Sequence, residues 1–224
     1  MQPVKLSIKN FRVRAVNVPM QRPLATASGS IGFVPLVLLD METEQGITGR
    51  SYVFTVTPMA LKPTVSLLQE MLAVVQGDGV APFNLEQKLQ RQFRLLGLQG
   101  LVYVALSAID MAAWDALAQV QGLPLVKLLG GEARPIKAYN SCGLGLVGKD
   151  KVAAQALEVL EGGVTAMKVR LGYATLREDG EVVRAVRTAV GDNVTLMCDY
   201  NQGLTPTEAL VRCRSRRIQG AALA

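Results

Sequence analysis

The chain has 224 residues, half of them hydrophobic, which is enough for one large domain or two ordinary ones with a sizeable core. No run of eighteen apolar residues occurs, and the N-terminal MQPVKLSIKNF lacks the apolar stretch of a secretory signal, so the sequence predicts a soluble cytoplasmic protein that does not bind a membrane. The net charge of +6 does not predict a nucleic-acid partner, because the basic excess is concentrated in residues 212–224 and only 5% of the chain is aromatic.

The first predicted elements form an antiparallel sheet. Residues 4–18 alternate apolar and polar side chains, which is typical of a strand with one buried face. Residues 34–41 and 47–54 predict two more strands, joined by a turn at Glu44-Gln45-Gly46. Between the first and second strands, residues 20–32 are small, polar and contain glycine, so we expect a loop with room to move.

Helices follow these strands. Apolar residues three or four apart predict a helix over 61–75, and Asn84 with Gln87 three residues later resembles a capping box at the start of a second helix. The longest predicted helix occupies residues 100–122 and ends at a glycine that is soon followed by a proline. Strands followed by helices predict an α+β domain over residues 1–132.

From residue 133 onward, strands and helices alternate strictly, which is the pattern of a parallel α/β fold. The predicted elements are a strand at 136–141, a helix at 149–161, a strand at 166–171, a helix at 176–190, a strand at 195–199, and a helix capped by Thr205 with Pro206 in its first turn. Residues 133–224 therefore predict a second domain with three βα units. The first and third strands of such a short barrel would each leave an edge unpaired.

Charged residues stand at the ends of two of these strands. Lys168 and Arg170 are two residues apart, so their side chains point to the same face, and Asp199 ends the following strand. Ligands bind at the carboxyl ends of parallel strands, so these three residues predict a site on one face of the fold. Cys198 should face away from Asp199, as a core residue.

The segment Gly143-Leu144-Gly145-Leu146-Val147-Gly148 matches the G-x-G-x-x-G pattern of a dinucleotide-binding loop. The acid expected about twenty residues later is absent, and Lys168 and Arg170 stand there instead, which at best suits a 2′-phosphate. The preceding KAYNSC is also too polar for a buried strand. An NADP-binding oxidoreductase stays an alternative, and a flexible glycine loop is the interpretation that we prefer.

Several motifs together resemble the enolase superfamily. AVNVP, PLVLLDM, SYVF, IDMAAWDAL, the Lys-x-Arg at 168–170 and the DYNQ at 199–202 look like the mandelate racemase/muconate lactonizing enzyme family, most closely its mandelate racemases. The resemblance implies an α+β N-terminal capping domain followed by the first three βα units of an α/β barrel of the TIM-like (β/α)7β type. It also implies Mg²⁺, a small-molecule carboxylate substrate whose α-proton a base removes, and a homo-oligomer for the full-length family.

The resemblance gives roles to residues near the strand ends. Lys168 matches the lysine that lies by the substrate carboxylate in the family's Lys-x-Lys, and Arg170 matches the second lysine, which is a base. A guanidinium stays protonated, so Arg170 can stabilise an enediolate but is a poor proton acceptor. Asp199 matches the first of three metal ligands and Asn201 a residue that hydrogen-bonds the substrate, while Ser141 is expected to line the same pocket. The loop 21–32 corresponds to the family's mobile flap, from which Leu24, Ser28 and Ile31 would face the substrate.

The chain also departs from the family pattern. It has no histidine, and the family's two other metal ligands and its second base belong to later strands. The tail CRSRRIQGAALA does not continue the pattern, so we interpret the chain as truncated or frameshifted, with an incomplete Mg²⁺ site. Racemisation needs bases on both faces of the α-carbon, so Arg170 favours an acid-sugar dehydratase over a mandelate-racemase-like racemase. A catalytically inactive fragment is the alternative from another class.

Overall fold

The computed structural model describes residues 5–215 and 222–223. The chain forms two compact units, one made of Met1–Pro19 and Val34–Arg134, the other of Met20–Phe33 and Pro135–Ala224. The segment 20–33 therefore groups with the C-terminal unit although it lies early in the sequence. The predicted domain boundary at 132/133 stays a prediction.

One sheet has three strands in the order β1-β2-β3, and the part of it within residues 20–33 belongs to the second unit. The strands are β1 (Ile8–Thr26), β2 (Gly29–Thr43) and β3 (Thr48–Phe54), and β2 pairs with β3 in antiparallel register from Leu36 opposite Phe54 to Glu42 opposite Thr48. Alternate residues of β2, Val37, Leu39 and Met41, are buried in the core. The antiparallel pair predicted from the sequence is confirmed.

The expectation of an irregular loop at residues 20–32 is wrong, because β1 and β2 continue through the segment as the two strands of a hairpin. Only Ala27 and Ser28 form the turn, and the Thr26 hydroxyl donates to the Gly29 carbonyl at 2.8 Å across it. Small polar residues and a glycine at positive φ suit a tight hairpin turn as well as they suit a loop. We call residues 25–28 the hairpin tip.

The helices of the first unit are α1 (Leu61–Val75), α2 (Pro82–Gln92), α3 (Leu101–Gln121) and the short α4 (Leu125–Leu128), with a 3₁₀ turn at Pro58–Ala60 before α1. The predicted capping box at Asn84 is wrong. Helix α2 begins two residues earlier, at Pro82, whose fixed φ suits the first helical turn without a side-chain cap. Helix α3 ends as expected, with Gly122 in the left-handed conformation.

Helix α3 is the main partner of the sheet in the first unit. A Cβ on Gly49 of β3 would lie 1.9 Å from the Ala112 carbonyl oxygen, so the close approach of helix and strand requires glycine there. By length and composition alone α3 could cross a membrane. Its residues Ala105, Ile109 and Ala112 are buried in the core of the first unit.

The second unit alternates helices with parallel strands. Its elements are α5 (Lys149–Leu160), β4 (Ala166–Arg170), α6 (Leu176–Val190), β5 (Thr195–Asp199), α7 (Pro206–Arg214) and β6 (Ala222–Leu223). Strand β4 is parallel to β5, and β6 pairs in parallel with the other side of β5. The expectation of an unpaired edge on the third predicted strand is therefore wrong. The alternation is that of a partial α/β barrel.

The first predicted barrel strand, 136–141, is also wrong as a regular strand. It forms a single parallel bridge between Asn140 and Met167. The Asn140 amide donates to the Ala166 carbonyl, and the Asn140 carbonyl accepts from the Lys168 amide. The segment is polar and Ile136 is 73% exposed, so little apolar burial holds it against β4.

Candidate active site

The register of β4 and β5 brings the predicted charged residues together. Arg170 lies directly opposite Asp199, and the Lys168 Nζ is 3.0 Å from the Asp199 Oδ2. Both side chains of this ion pair are mostly buried, at 14% and 21% exposed, so it is less screened than a surface pair. The prediction that these residues share one face at the strand ends is thus confirmed by the geometry.

The ionisation of Asp199 is controlled by opposing influences. Burial raises the pKa of its carboxyl group, but the hydrogen bond from the Asn201 amide at 2.8 Å and the ammonium of Lys168 outweigh burial, so the net pKa lies below its usual value. Asp199 is therefore a carboxylate at neutral pH. Its neighbour Cys198 points into the core as expected, where burial, with Asp179 adding to it, raises the thiol pKa to about 12.

Tyr139 joins this pair, although no sequence pattern pointed to it. The Lys168 Nζ lies 5.4 Å from the centre of the Tyr139 ring, within the range of a cation–π interaction. Tyr139 is 48% exposed, so solvent reaches part of this residue. Its position two residues before Ser141, at the end of a predicted strand, is the signal that could have drawn attention to it.

The Arg170 side chain hydrogen-bonds to main-chain carbonyl groups. Its Nη1 donates to the carbonyl oxygens of Ser141 and Gly143, both at 3.0 Å, and only 7% of the residue is exposed. Burial lowers the pKa of Arg170, and the Asp199 carboxylate partly offsets that effect. Ser141 is therefore joined to the site through its main-chain carbonyl.

Asn201 sits in a strained turn just after β5. Asn201 and Gln202 both have positive φ, at 47° and 58°, a conformation that asparagine tolerates better than most residues. The Asn201 Oδ1 is buried and accepts no hydrogen bond within the described structure. A strained backbone beside a buried, unsatisfied oxygen is typical of functional sites.

The hairpin contributes Ser28 to this turn. The Ser28 hydroxyl donates to the Asn201 main-chain carbonyl at 2.6 Å. Leu24 and Ile31 lie half-buried on the two strands that flank the hairpin tip. Their predicted contact with substrate stays a prediction.

The glycine loop at 143–148 directs its amides into the protein. The Leu144 amide donates to the Gln155 side chain at 3.0 Å, the Leu146 amide to the Ala25 carbonyl at 3.0 Å, and the Gly148 amide to the Tyr173 hydroxyl at 2.9 Å. A phosphate-binding loop needs such amides free to face the ligand. This geometry gives no support to dinucleotide binding.

A second feature that the sequence did not predict is the buried carboxylate of Asp179. Its Oδ1 accepts hydrogen bonds from the amides of Gly172 and Tyr173, and its Oδ2 accepts from the Tyr200 hydroxyl and pairs with Arg212. Arg212, counted in the sequence as part of a basic tail, therefore has a buried partner. Most of the remaining tail, including Arg216 and Arg217, lies outside the described residues.

The Asp199 carboxylate is a hard oxygen donor of the kind that Mg²⁺ prefers. Within residues 5–215, no group of three His, Cys, Asp or Glu side chains is placed to hold a metal ion. These residues therefore offer one ligand and do not fit a complete Mg²⁺ site.

Comparison with known proteins identifies the family. Residues 8–130 match the model of the mandelate racemase/muconate lactonizing enzyme N-terminal domain, and residues 151–218 match an enolase C-terminal domain-like model. The chain belongs to the mandelate racemase/muconate lactonizing enzyme family. Its fold is that of the enolase superfamily, with the N-terminal antiparallel sheet and a partial barrel of parallel strands.

Solved and curated members of this family resemble the chain over most of its length. An enolase from Bradyrhizobium, crystallised with magnesium and mandelic acid, is 40% identical with a TM-score of 0.89, and the match covers 99% of this chain and 61% of that one. A hydrophobic dipeptide epimerase from Enterococcus faecalis is 27% identical over 92% of this chain and 56% of its own length. An arabinonate dehydratase from Saccharolobus solfataricus is 27% identical over 78% of this chain and 48% of its own length. The chain thus spans about half the length of the curated relatives that it matches.

Proposed function

We propose that this chain carries the N-terminal part of an enolase-superfamily active site, which removes the α-proton of a 2-hydroxy carboxylate. The observation that supports this most is the Lys168–Asp199 ion pair at the ends of two parallel strands, with Asn201 in the turn beyond it. Residues 1–132 would serve as the capping domain and residues 133–224 as the part of the barrel that holds the site. The substrate is a small carboxylic acid, either a 2-hydroxy acid or an acid sugar.

In this proposal each residue has a distinct task. Lys168 provides a cation for the substrate carboxylate, and Asp199 would supply one oxygen ligand to a Mg²⁺ ion. The amide group of Asn201, whose oxygen has no partner within the described structure, is available to bind a substrate hydroxyl.

Arg170 supports a dehydratase over a racemase. Racemisation requires a proton acceptor on each face of the α-carbon, and a guanidinium bonded to two carbonyls is not one. Elimination of water after removal of one proton needs only one base for that step, and that base is not among the residues assigned here. Dehydratases, epimerases and a racemase all occur among the relatives, so the choice rests on Arg170.

The experiment is α-proton exchange in D₂O, followed by ¹H NMR, with the 224-residue chain, Mg²⁺ and a panel of 2-hydroxy acids and acid sugars. If the chain catalyses exchange, Lys168→Ala and Asp199→Asn should each reduce the exchange rate by at least about a hundredfold. Lys88→Ala and Asp78→Asn alter an ion pair of the first unit at 2.7 Å and should leave exchange unchanged.

A catalytically inactive chain is the second candidate, and it is favoured by the single acidic ligand found among residues 5–215. A full-length member of the family serves as the positive control for the same panel. Exchange by that control, with none by this chain on any substrate, would contradict the proposed activity and support the inactive alternative.

A further inference from the structure

The hairpin tip rests on three loops of its own unit, and each presents a glycine to it. A Cβ on Gly145 would lie 2.7 Å from the Ala25 carbonyl oxygen. A Cβ on Gly172 would lie 2.6 Å from the Ala27 Cβ, and one on Gly203 would lie 2.7 Å from it. Side chains at these three positions would displace the tip, so its close packing against the three loops requires glycine there.

Two of these loops are anchored by regular strands. Gly172 follows β4 and Gly203 follows β5, and the two strands are paired in register along their length. The third loop, residues 141–146, follows a segment that makes only the single bridge at Asn140. A sheet ladder therefore does not fix the loop that carries Gly145.

Arg170 makes the hydrogen bonds that hold the loop 141–146 in the absence of a sheet ladder. From the end of β4 its guanidinium reaches the carbonyls of Ser141 and Gly143, and its main-chain amide donates to the Leu144 carbonyl at 2.9 Å. Hydrogen bonds from a buried cation are stronger than those between neutral groups. Two residues further on, the Leu146 amide donates to the Ala25 carbonyl of the tip at 3.0 Å.

We propose that Arg170 is a positioning residue that holds the loop 141–146 in place. Through that loop it also holds the hairpin tip beside the Lys168–Asp199 pair. The inference rests on the proposed function in taking that pair as the reacting site. It gives the arginine a task that a lysine at this position would perform poorly, because Nη1 lies one bond further along the side chain than a lysine Nζ and the planar guanidinium fixes the directions of its N–H groups. The tip in turn reaches the site through the Ser28–Asn201 hydrogen bond.

The test is backbone amide hydrogen exchange of the 224-residue chain without substrate or metal. In Arg170→Met and Arg170→Lys we expect the Leu146 amide and the amides of residues 24–30 to exchange at least about tenfold faster, while the amides of β5 keep their protection. Gly145→Ala leaves Arg170 in place and should accelerate the same amides of the tip. Arg177→Met removes an exposed arginine of α6 and is the matched control, with no expected change.

Two results would overturn the proposal. One is that the amides of the tip exchange at the wild-type rate in both Arg170 variants. The other is faster exchange throughout β5 in both, because Arg170 would then support the sheet as a whole. Since no substrate is present, the result is independent of α-proton exchange, so an inactive chain with a loosened tip refutes only the proposed activity.

Discussion

At the scale of single residues, the ionisation of Asp199 can be traced to individual neighbours. Burial alone would raise the pKa of this carboxyl group, and the Asn201 amide and Lys168 reverse the direction. We predict that Lys168→Met raises the Asp199 pKa, because the ammonium is lost while burial remains. The measurement is an NMR titration of the Asp199 side-chain carbon in both proteins.

The same change has a consequence for stability, whose sign follows from the lowered pKa. A carboxyl group with a lower pKa in the folded state stabilises the fold above its unfolded value of about 3.9, and that contribution is lost as the pH falls through the folded pKa. The wild type should therefore exceed Lys168→Met in unfolding free energy near neutral pH, with the difference shrinking in acid. Lys88→Met, at the exposed Asp78 pair, is the control for general charge effects. A difference that stays constant down to pH 2 would contradict this assignment.

Asp179 provides a second prediction at this scale. It is fully buried and paired with Arg212, whose side chain is only 15% exposed, so Asp179→Asn leaves a cation without its partner. We expect a loss of about 3 kcal/mol in the free energy of unfolding, measured by urea denaturation. In the Asp179→Asn background, Arg212→Met should cost less than it does in the wild type. Additive effects in the double variant would show that the two charges do not interact.

The residues of the site differ in how far sequence could predict them. Lys168 and Asp199 were predictable, because strand periodicity fixes their faces and parallel strands fix their end of the sheet. Tyr139 and Asp179 were not, since their partners are set by packing between elements rather than by local spacing. The bonds of Arg170 depend on where the loop 141–146 lies, which no local pattern determines.

At the scale of elements, the two capping boxes of the second unit allow a matched comparison. Thr175 caps α6 and Thr205 caps α7, each accepting a hydrogen bond from the amide of a glutamate three residues later. We predict that Thr175→Ala lowers the free energy of unfolding by about 1 kcal/mol, because α6 buries an apolar face. In α7 none of the residues is fully buried, so Thr205→Ala should mainly accelerate local amide exchange in that helix. Thr175→Ser retains the hydroxyl and serves as the control, and equal global losses from both alanine variants would contradict the distinction.

Elements were predicted well where a buried face imposes a period. The bounds of α6 and β5 agree with the sequence pattern, and so does the antiparallel pair of β2 and β3. The hairpin at 20–32 was missed because its composition is that of a loop, although its strands are extended. The segment 136–141 was assigned as a strand on its place in the alternation, but it lacks the apolar burial that would pair it fully with β4.

At the scale of the whole molecule, the described residues form two separate hydrophobic cores, one in each unit. Leu39 on β2 belongs to the first core and Leu196 on β5 to the second, and each is 1% exposed. The single tryptophan, Trp114, lies on α3 in the first unit, in edge-to-face contact with Phe83 at 5.6 Å. Its fluorescence therefore reports on the first core, whereas far-UV circular dichroism reports on both.

These two leucines make the energetic independence of the cores testable. We predict that Leu39→Ala destabilises the transition seen by Trp114 fluorescence in urea by about 2–5 kcal/mol, because it removes a fully buried side chain and leaves a cavity. Leu196→Ala should leave the fluorescence transition at the same urea concentration. It should shift to lower urea only the part of the circular dichroism change that comes from the second unit. Equal shifts of the fluorescence midpoint by both variants would mean that the two units unfold as one cooperative body. In that case a change in the second core would be transmitted to the sheet and helices of the first, and the site residues on β4 and β5 would share the stability of the whole chain.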